Sequence, residues 1–201
     1  MKYLVPILLF SVLIACSKKQ NQANEKQNSV DASYGQQLFE NGFLDFADTL
    51  KLDSLKSGLI GSFDIYDEAN NKIAHIDAEE LAESNFGFFL PHLNKMLERR
   101  GFKLKVEKAN DYESTNDVIV NGKRINLYTK GELEGGVFWE SAPKNFFQEI
   151  NKQLNNRNAA ESFYLLYSGN DLHVLLLTPD QYKIIAEKYK GETKEIPYSP
   201  N

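Results

Sequence analysis

Two stretches near the C-terminus are apolar on consecutive positions. Phe163-Tyr164-Leu165-Leu166-Tyr167 and Leu172 to Leu177 lack the polar alternation of a half-wet strand. They read as strands covered on both faces and central in a sheet. Ser168-Gly169-Asn170-Asp171 between them is turn chemistry. Phe102-Lys103-Leu104-Lys105-Val106 alternates strictly and predicts a strand with one wet face. Asp117 to Val120 and Lys123 to Tyr128 flank Asn121-Gly122. That dipeptide suits the two positive-φ positions of a type I′ turn, so a hairpin is expected. A second hairpin is expected earlier, from Ser62 to Tyr66 and Lys72 to Ile76 across Asp67 to Asn71.

Helical spacing fills the gaps. Between Gln36 and Lys56 the apolar residues follow no single period, and one or two short covering helices are expected. Asp77 is placed to cap a helix, with Glu80 at capping-box distance. The stretch from Ala78 to Arg100 reads as two pieces interrupted by Gly87 and Pro91. Leu90, Leu93, Met96 and Leu97 make one stripe on the second piece, which Gly101 ends. Lys108 to Asn116 and Gly131 to Gly136 read as loops, and Val137-Phe138-Trp139 as a short apolar run. Pro143 is expected to start a helix running to about Leu154, with Phe146, Phe147, Ile150 and Leu154 inward. Pro179 starts a last helix, closed by Gly191. Collected, the order predicts a single α+β domain with a mixed, mainly antiparallel sheet and helices packed on it.

The first residues belong to a different regime. Lys2 supplies a positive start, and Leu4 to Ile14 is apolar apart from Pro6 and Ser11. The run falls short of the ~20 residues a membrane helix needs and has the length of a secretory h-region. It ends Leu13-Ile14-Ala15-Cys16, which resembles the lipobox of bacterial lipoproteins. The resemblance implies cleavage before Cys16, acylation of its thiol and new amine, and attachment to the membrane of the cell envelope. Ser17 is not the aspartate associated in some bacteria with inner-membrane retention, so the resemblance points to the outer membrane. Cys16 is the only cysteine, so no intrachain disulfide is available.

This gives four segments: signal peptide 1–15, anchor and flexible tether 16–35, globular domain 36–191 and irregular tail 192–201. The stretch from Ser17 to Ser33 is dominated by Lys, Gln and Asn, with Ala23, Val30 and Ala32 its only aliphatic residues. As a flexible chain it would reach about 25 Å. The formal charge is −5, and losing 1–15 removes Lys2 alone among charged residues, leaving −6. That acidity argues against non-specific nucleic-acid binding.

Few residues suggest chemistry. His75, His92 and His173 share no metal-ligand spacing, and the chain has no Gly-x-Ser-x-Gly elbow, phosphate-binding Gly-rich loop or HExxH. One constellation rests on element order. A helix ends Gly101-Phe102, and a strand ends Val106-Glu107. Asp117 opens the Asn-Gly hairpin, Asn126 and Tyr128 lie on its second strand, and Lys152 sits on the helix before an apolar strand. Over residues 90–177 this resembles the PD-(D/E)XK nuclease core, and within it the tRNase domain of contact-dependent inhibition toxins. The resemblance implies a catalytic set of Asp117, Asn126, Tyr128 and Lys152, with Mg²⁺ as cofactor and RNA as substrate. Asn126 stands where that core carries an acid, which lowers affinity for a hard cation. Glu98 on the preceding helix would supply a second carboxylate beside Asp117.

Two functions are therefore expected: a nuclease-toxin-like lipoprotein with weak or lost metal-dependent RNase activity, or a non-enzymatic binding or immunity-type lipoprotein using the scaffold for protein recognition. Convergence of Asp117, Asn126 and Lys152 in one open pocket separates them.

Overall fold

The computed structural model describes residues 29–201. The expected signal peptide, Cys16 and the first part of the expected tether lie outside the described residues.

The fold is α+β. Helices α1 (29–40) and α2 (Leu52–Ser62) precede strand β1 (Ile73–His75) and helices α3 (Ala78–Ala82) and α4 (Leu90–Glu98). Strand β2 (Val106–Lys108), the short helix α5 (Tyr112–Thr115) and the hairpin β3 (Asp117–Val120) and β4 (Lys123–Asn126) follow. Then come α6 (Lys130–Glu134), α7 (Phe138–Asn155), β5 (Ser162–Leu166), β6 (His173–Leu177) and α8 (Pro179–Lys188). The strands form two separate three-stranded antiparallel sheets, ordered β1-β6-β5 and β2-β3-β4, in place of the mixed sheet expected.

The continuous apolar run of β6 has the consequence its pattern implies. Val174 and Leu176 face a core shared with Phe146, Phe147 and Ile150 of α7. Leu175 and Leu177 face a second core with Leu38, Leu59 and Ile185 from α1, α2 and α8. One strand thus divides the molecule, because successive side chains point to opposite faces. β5, also expected to be central, is at the sheet margin, yet Phe163, Leu165 and Leu166 are buried. The tail seals that edge: Leu165 and Tyr198 exchange backbone hydrogen bonds of 2.8 Å in each direction. An unpaired edge would expose donors and acceptors to any passing strand. The tail 192–201 is therefore less irregular than its prolines suggest, and it also carries a 3₁₀ turn at Thr193–Glu195.

Several local expectations are revised. The hairpin between Ser62 and Ile76 is absent. Ser62 ends α2, Phe63 closes it in the left-handed region at φ 54°, and β1 pairs with β6. The side chain of Asn70 donates to the Ile65 carbonyl at 2.8 Å, taking an acceptor that a strand partner would have used. Similarly, only Val106–Lys108 of the alternating Phe102 stretch pairs as strand. Asn94 caps the Leu104 backbone from both sides, accepting its N–H at 2.7 Å and donating to its carbonyl at 3.0 Å. Phe102 and Leu104 are nonetheless buried, as the alternation requires.

α7 begins at Phe138, and Pro143 lies inside it. Pro143 has no N–H to give to Trp139 one turn back, a loss tolerated next to the helix start. The loop expected after β4 contains α6, whose start is a capping box: Thr129 accepts from Glu132 N, and Glu132 returns the bond to Thr129 N.

Residues 29–35, assigned to the tether, are helical. Tyr34 meets Phe63 edge-on at 6.3 Å, and Asp31 pairs with Lys188 at 2.9 Å. Gly35 is where α1 crosses α2. A Cβ there would lie 1.9 Å from the Leu59 carbonyl oxygen, so only hydrogen fits.

Candidate functional site

The hairpin brings together two of the residues singled out by the resemblance, Asp117 and Asn126. Its turn has φ 50° at Asn121 and 82° at Gly122, the type I′ geometry. That turn sets the register in which Asp117 faces Asn126 directly. The Asn126 amide donates to Asp117 Oδ1 at 2.8 Å and to the Thr115 carbonyl at 2.5 Å. Arg124 lies on the same face of β4, two residues before Asn126. Its Nε donates to Asp117 Oδ2 at 2.6 Å, while Nη2 reaches both oxygens of Asp111 at 2.8 and 2.7 Å. The Arg124 hydrogen bonds hold the Asp111 carboxyl below its ordinary range. Asp111 in turn leads the groups that raise the Arg124 guanidinium.

The other nominated residues lie elsewhere. The Tyr128 ring is buried against Phe138, 5.2 Å between centroids. Burial, followed by its neighbour Tyr112, pushes its phenol up to about 12, which keeps it protonated in any physiological range. Lys152 is exposed on α7 and lines a cleft with Asn155, Ser162, Tyr164 and Ser199, beside β5 and the tail. The α7 residue that meets the hairpin is Gln153, which donates to the Val120 carbonyl and accepts from Asn121. Glu98 pairs on the surface with Lys103 at 2.9 Å.

The hairpin donors fit Mg²⁺ poorly. Both oxygens of Asp117 are engaged, one by a cation, and Asn126 presents its NH₂ rather than its carbonyl to the carboxylate. No group of three or more His, Cys, Asp or Glu among the described residues is placed to hold a metal ion. His75 and His173, scattered in the chain, do become register partners with ring centroids 4.9 Å apart. One ring nitrogen of each is engaged by a backbone carbonyl, His75 Nε2 by Asn170 and His173 Nδ1 by Asp171.

A second polar constellation lies between the two cores. Lys72, just ahead of β1, is 1 % exposed. Its ammonium pairs with Glu161 ahead of β5 and donates to Gln181 Oε1 of α8 at 3.0 Å. Arg100, after α4, grips the same Glu161 through Nε and through Nη2, the latter at 3.0 Å. Its Nη1 donates to the Met96 carbonyl at 2.8 Å, and its guanidinium lies 4.1 Å over the Phe46 ring. Burial by itself would raise the Glu161 carboxyl; the Arg100 hydrogen bonds and the Lys72 charge overcome it and hold the group below its ordinary range. Burial also works against the Lys72 charge, and Glu161 opposes that.

These three groups form one wall of a cleft of about 570 Å³. Its other walls come from the turn after α1 (Asn41, Gly42, Asp45, Phe46), Phe102, and the loop before β5 that carries Arg157 and Asn158. Nothing local in the sequence marks this site. Lys72 is 89 residues from Glu161 and 109 from Gln181. The available signal was a lysine at the head of an otherwise apolar segment, Lys72-Ile73-Ala74. A charge there needs a partner once the strand is buried.

No protein-family model, curated protein or solved structure matches this chain.

Proposed function

We propose that this chain is a cell-envelope lipoprotein, anchored through Cys16, whose α+β domain works by recognition rather than by cutting nucleic acid. The observation that carries this reading is the state of the Asp117 carboxylate. Arg124 and Asn126 already occupy its two oxygens, and Lys152 opens onto a different cleft. A hydrolytic site needs an open carboxylate and a group to position water in one pocket. The net charge of −5 also favours a partner other than the nucleic-acid backbone.

The nuclease-like alternative keeps one favourable observation, the direct facing of Asp117 and Asn126 across the hairpin. The two readings separate in one assay. The purified mature lipoprotein and its Asn126→Asp variant are incubated with a tRNA pool, with and without Mg²⁺. The recognition reading expects both to leave the RNA intact. Mg²⁺-dependent cleavage by either, abolished by Asp117→Ala, would instead establish the nuclease. The anchor is checked by mass spectrometry, which should find an acylated Cys16 at the mature N-terminus. An unmodified chain beginning at Met1 would remove the membrane from the proposal.

A further inference from the structure

The cleft beside Lys72, Glu161 and Arg100 is built for more than cohesion. Burying three ions seldom stabilises a fold beyond what apolar residues of the same volume would achieve. Here the ions sit on the wall of a cavity, and they retain unused donors. The Lys72 ammonium has three protons, of which Glu161 and Gln181 take two. Arg100 has five N–H groups and spends three, two on Glu161 and one on Met96. Its side chain is 8 % exposed, so the remaining donors have little access to bulk water. Arg157 lies 4.8 Å over the Phe102 ring and makes no ion pair or side-chain hydrogen bond among the described residues.

Charge points the same way. Three cations, Lys72, Arg100 and Arg157, line the cleft against two carboxylates, Asp45 and Glu161. A protein of net charge −5 thus keeps one locally unbalanced positive charge in its interior cleft. The rest of the lining combines the apolar Phe46, Phe102, Leu154 and Leu176 with the uncharged polar Asn41, Asn158, Thr178 and Gln181. A volume of about 570 Å³ is within the range of small-molecule sites.

We propose that this cleft binds a small organic anion, its carboxylate or phosphate head on Arg100, Arg157 and Lys72 and its apolar body against Phe46 and Phe102. The site lies apart from the hairpin and stands whether or not the domain also recognises a protein.

The test is isothermal titration of the purified lipoprotein in a neutral maltoside detergent. The probes are phenyl phosphate and benzoate; benzyl alcohol and benzylamine serve as uncharged and cationic controls. At least one of the two anions should bind saturably, and which one binds tighter identifies the head group. Arg157 is exposed and outside the buried triad, so Arg157→Glu should fold normally, with an unchanged melting temperature. It should weaken binding at least about tenfold, with Arg157→Gln intermediate. Arg100→Gln, checked for folding by circular dichroism, should abolish binding. Equal binding of benzyl alcohol, absence of saturable heat with both anions, or full affinity in Arg157→Glu would each overturn the proposal.

Discussion

The hairpin cluster and the buried cluster use the same chemistry in opposite settings. Each centres on a carboxylate gripped by an arginine: Asp117 by Arg124, and Glu161 by Arg100 with Lys72 added. On the hairpin the partners are seven to 13 residues apart, and Arg124 is half exposed. In the interior they are 61 to 109 residues apart, and Lys72 and Arg100 are almost fully covered. Water screens the first set, so its ion pairs add little to stability. The second set has lost its hydration and depends on mutual compensation. The cluster nominated by sequence order is engaged in short-range hydrogen bonds and ion pairs, while the one with unspent donors beside a cavity has no local signature at all.

The largest effect should come from breaking the buried set. Glu161→Gln strands Lys72 and Arg100 without an anion and should cost about 3–5 kcal/mol in denaturant unfolding. A loss under about 1 kcal/mol, the scale of surface changes, would mean that water reaches the triad.

Acid should reproduce part of that loss. The Glu161 carboxyl titrates lower in the folded protein than its unfolded value. Its contribution is therefore complete above the ordinary carboxylate range and disappears as pH falls through the lowered folded value. The stability gap between wild type and Glu161→Gln should narrow between about pH 5 and pH 2. A gap that stays constant there would argue that Glu161 does not carry the charge.

Removing the whole triad should cost less than removing its anion. Lys72→Met, Glu161→Leu and Arg100→Met together replace ions with volume, and apolar replacements of buried ion networks are often neutral or stabilising. Should the triple variant be as destabilised as Glu161→Gln, the network would be contributing net stability, and the case for a ligand-binding role would weaken.

The smallest effect belongs to the hairpin. Arg124→Ala removes two ion pairs, yet the Asn121-Gly122 turn and the buried Val118 and Val120 still hold the strands together. Its melting temperature should stay close to wild type. A large drop would reverse the comparison and make Arg124 structurally essential.

Where the sequence was readable, the determinants were short-range. The Asn-Gly turn, the Asp77 cap, the interruption at Pro91 and the two-faced apolar run of β6 all follow from residues within a few positions of one another. Local rules also carried misreadings. Pro143 looked like a helix start, and the hairpin at Ser62 looked complete until Asn70 supplied the hydrogen bond a partner strand would have made. Of the nominated site, only the Asp117–Asn126 pair was legible, because one tight turn dictates its register. The neutralising role of Arg124 could have been read from its place two residues before Asn126 on the same strand face.

What the sequence determined by itself was the α+β class and most element positions, since period, capping and turn chemistry act locally. Tertiary structure alone decided that β1 would pair with β6, that the tail would seal β5, and that Gly35 would mark a helix crossing. It also decided that Lys72, Arg100 and Glu161 would share one cavity wall. Those outcomes depend on which apolar faces meet, and burial then forces distant charges to find each other.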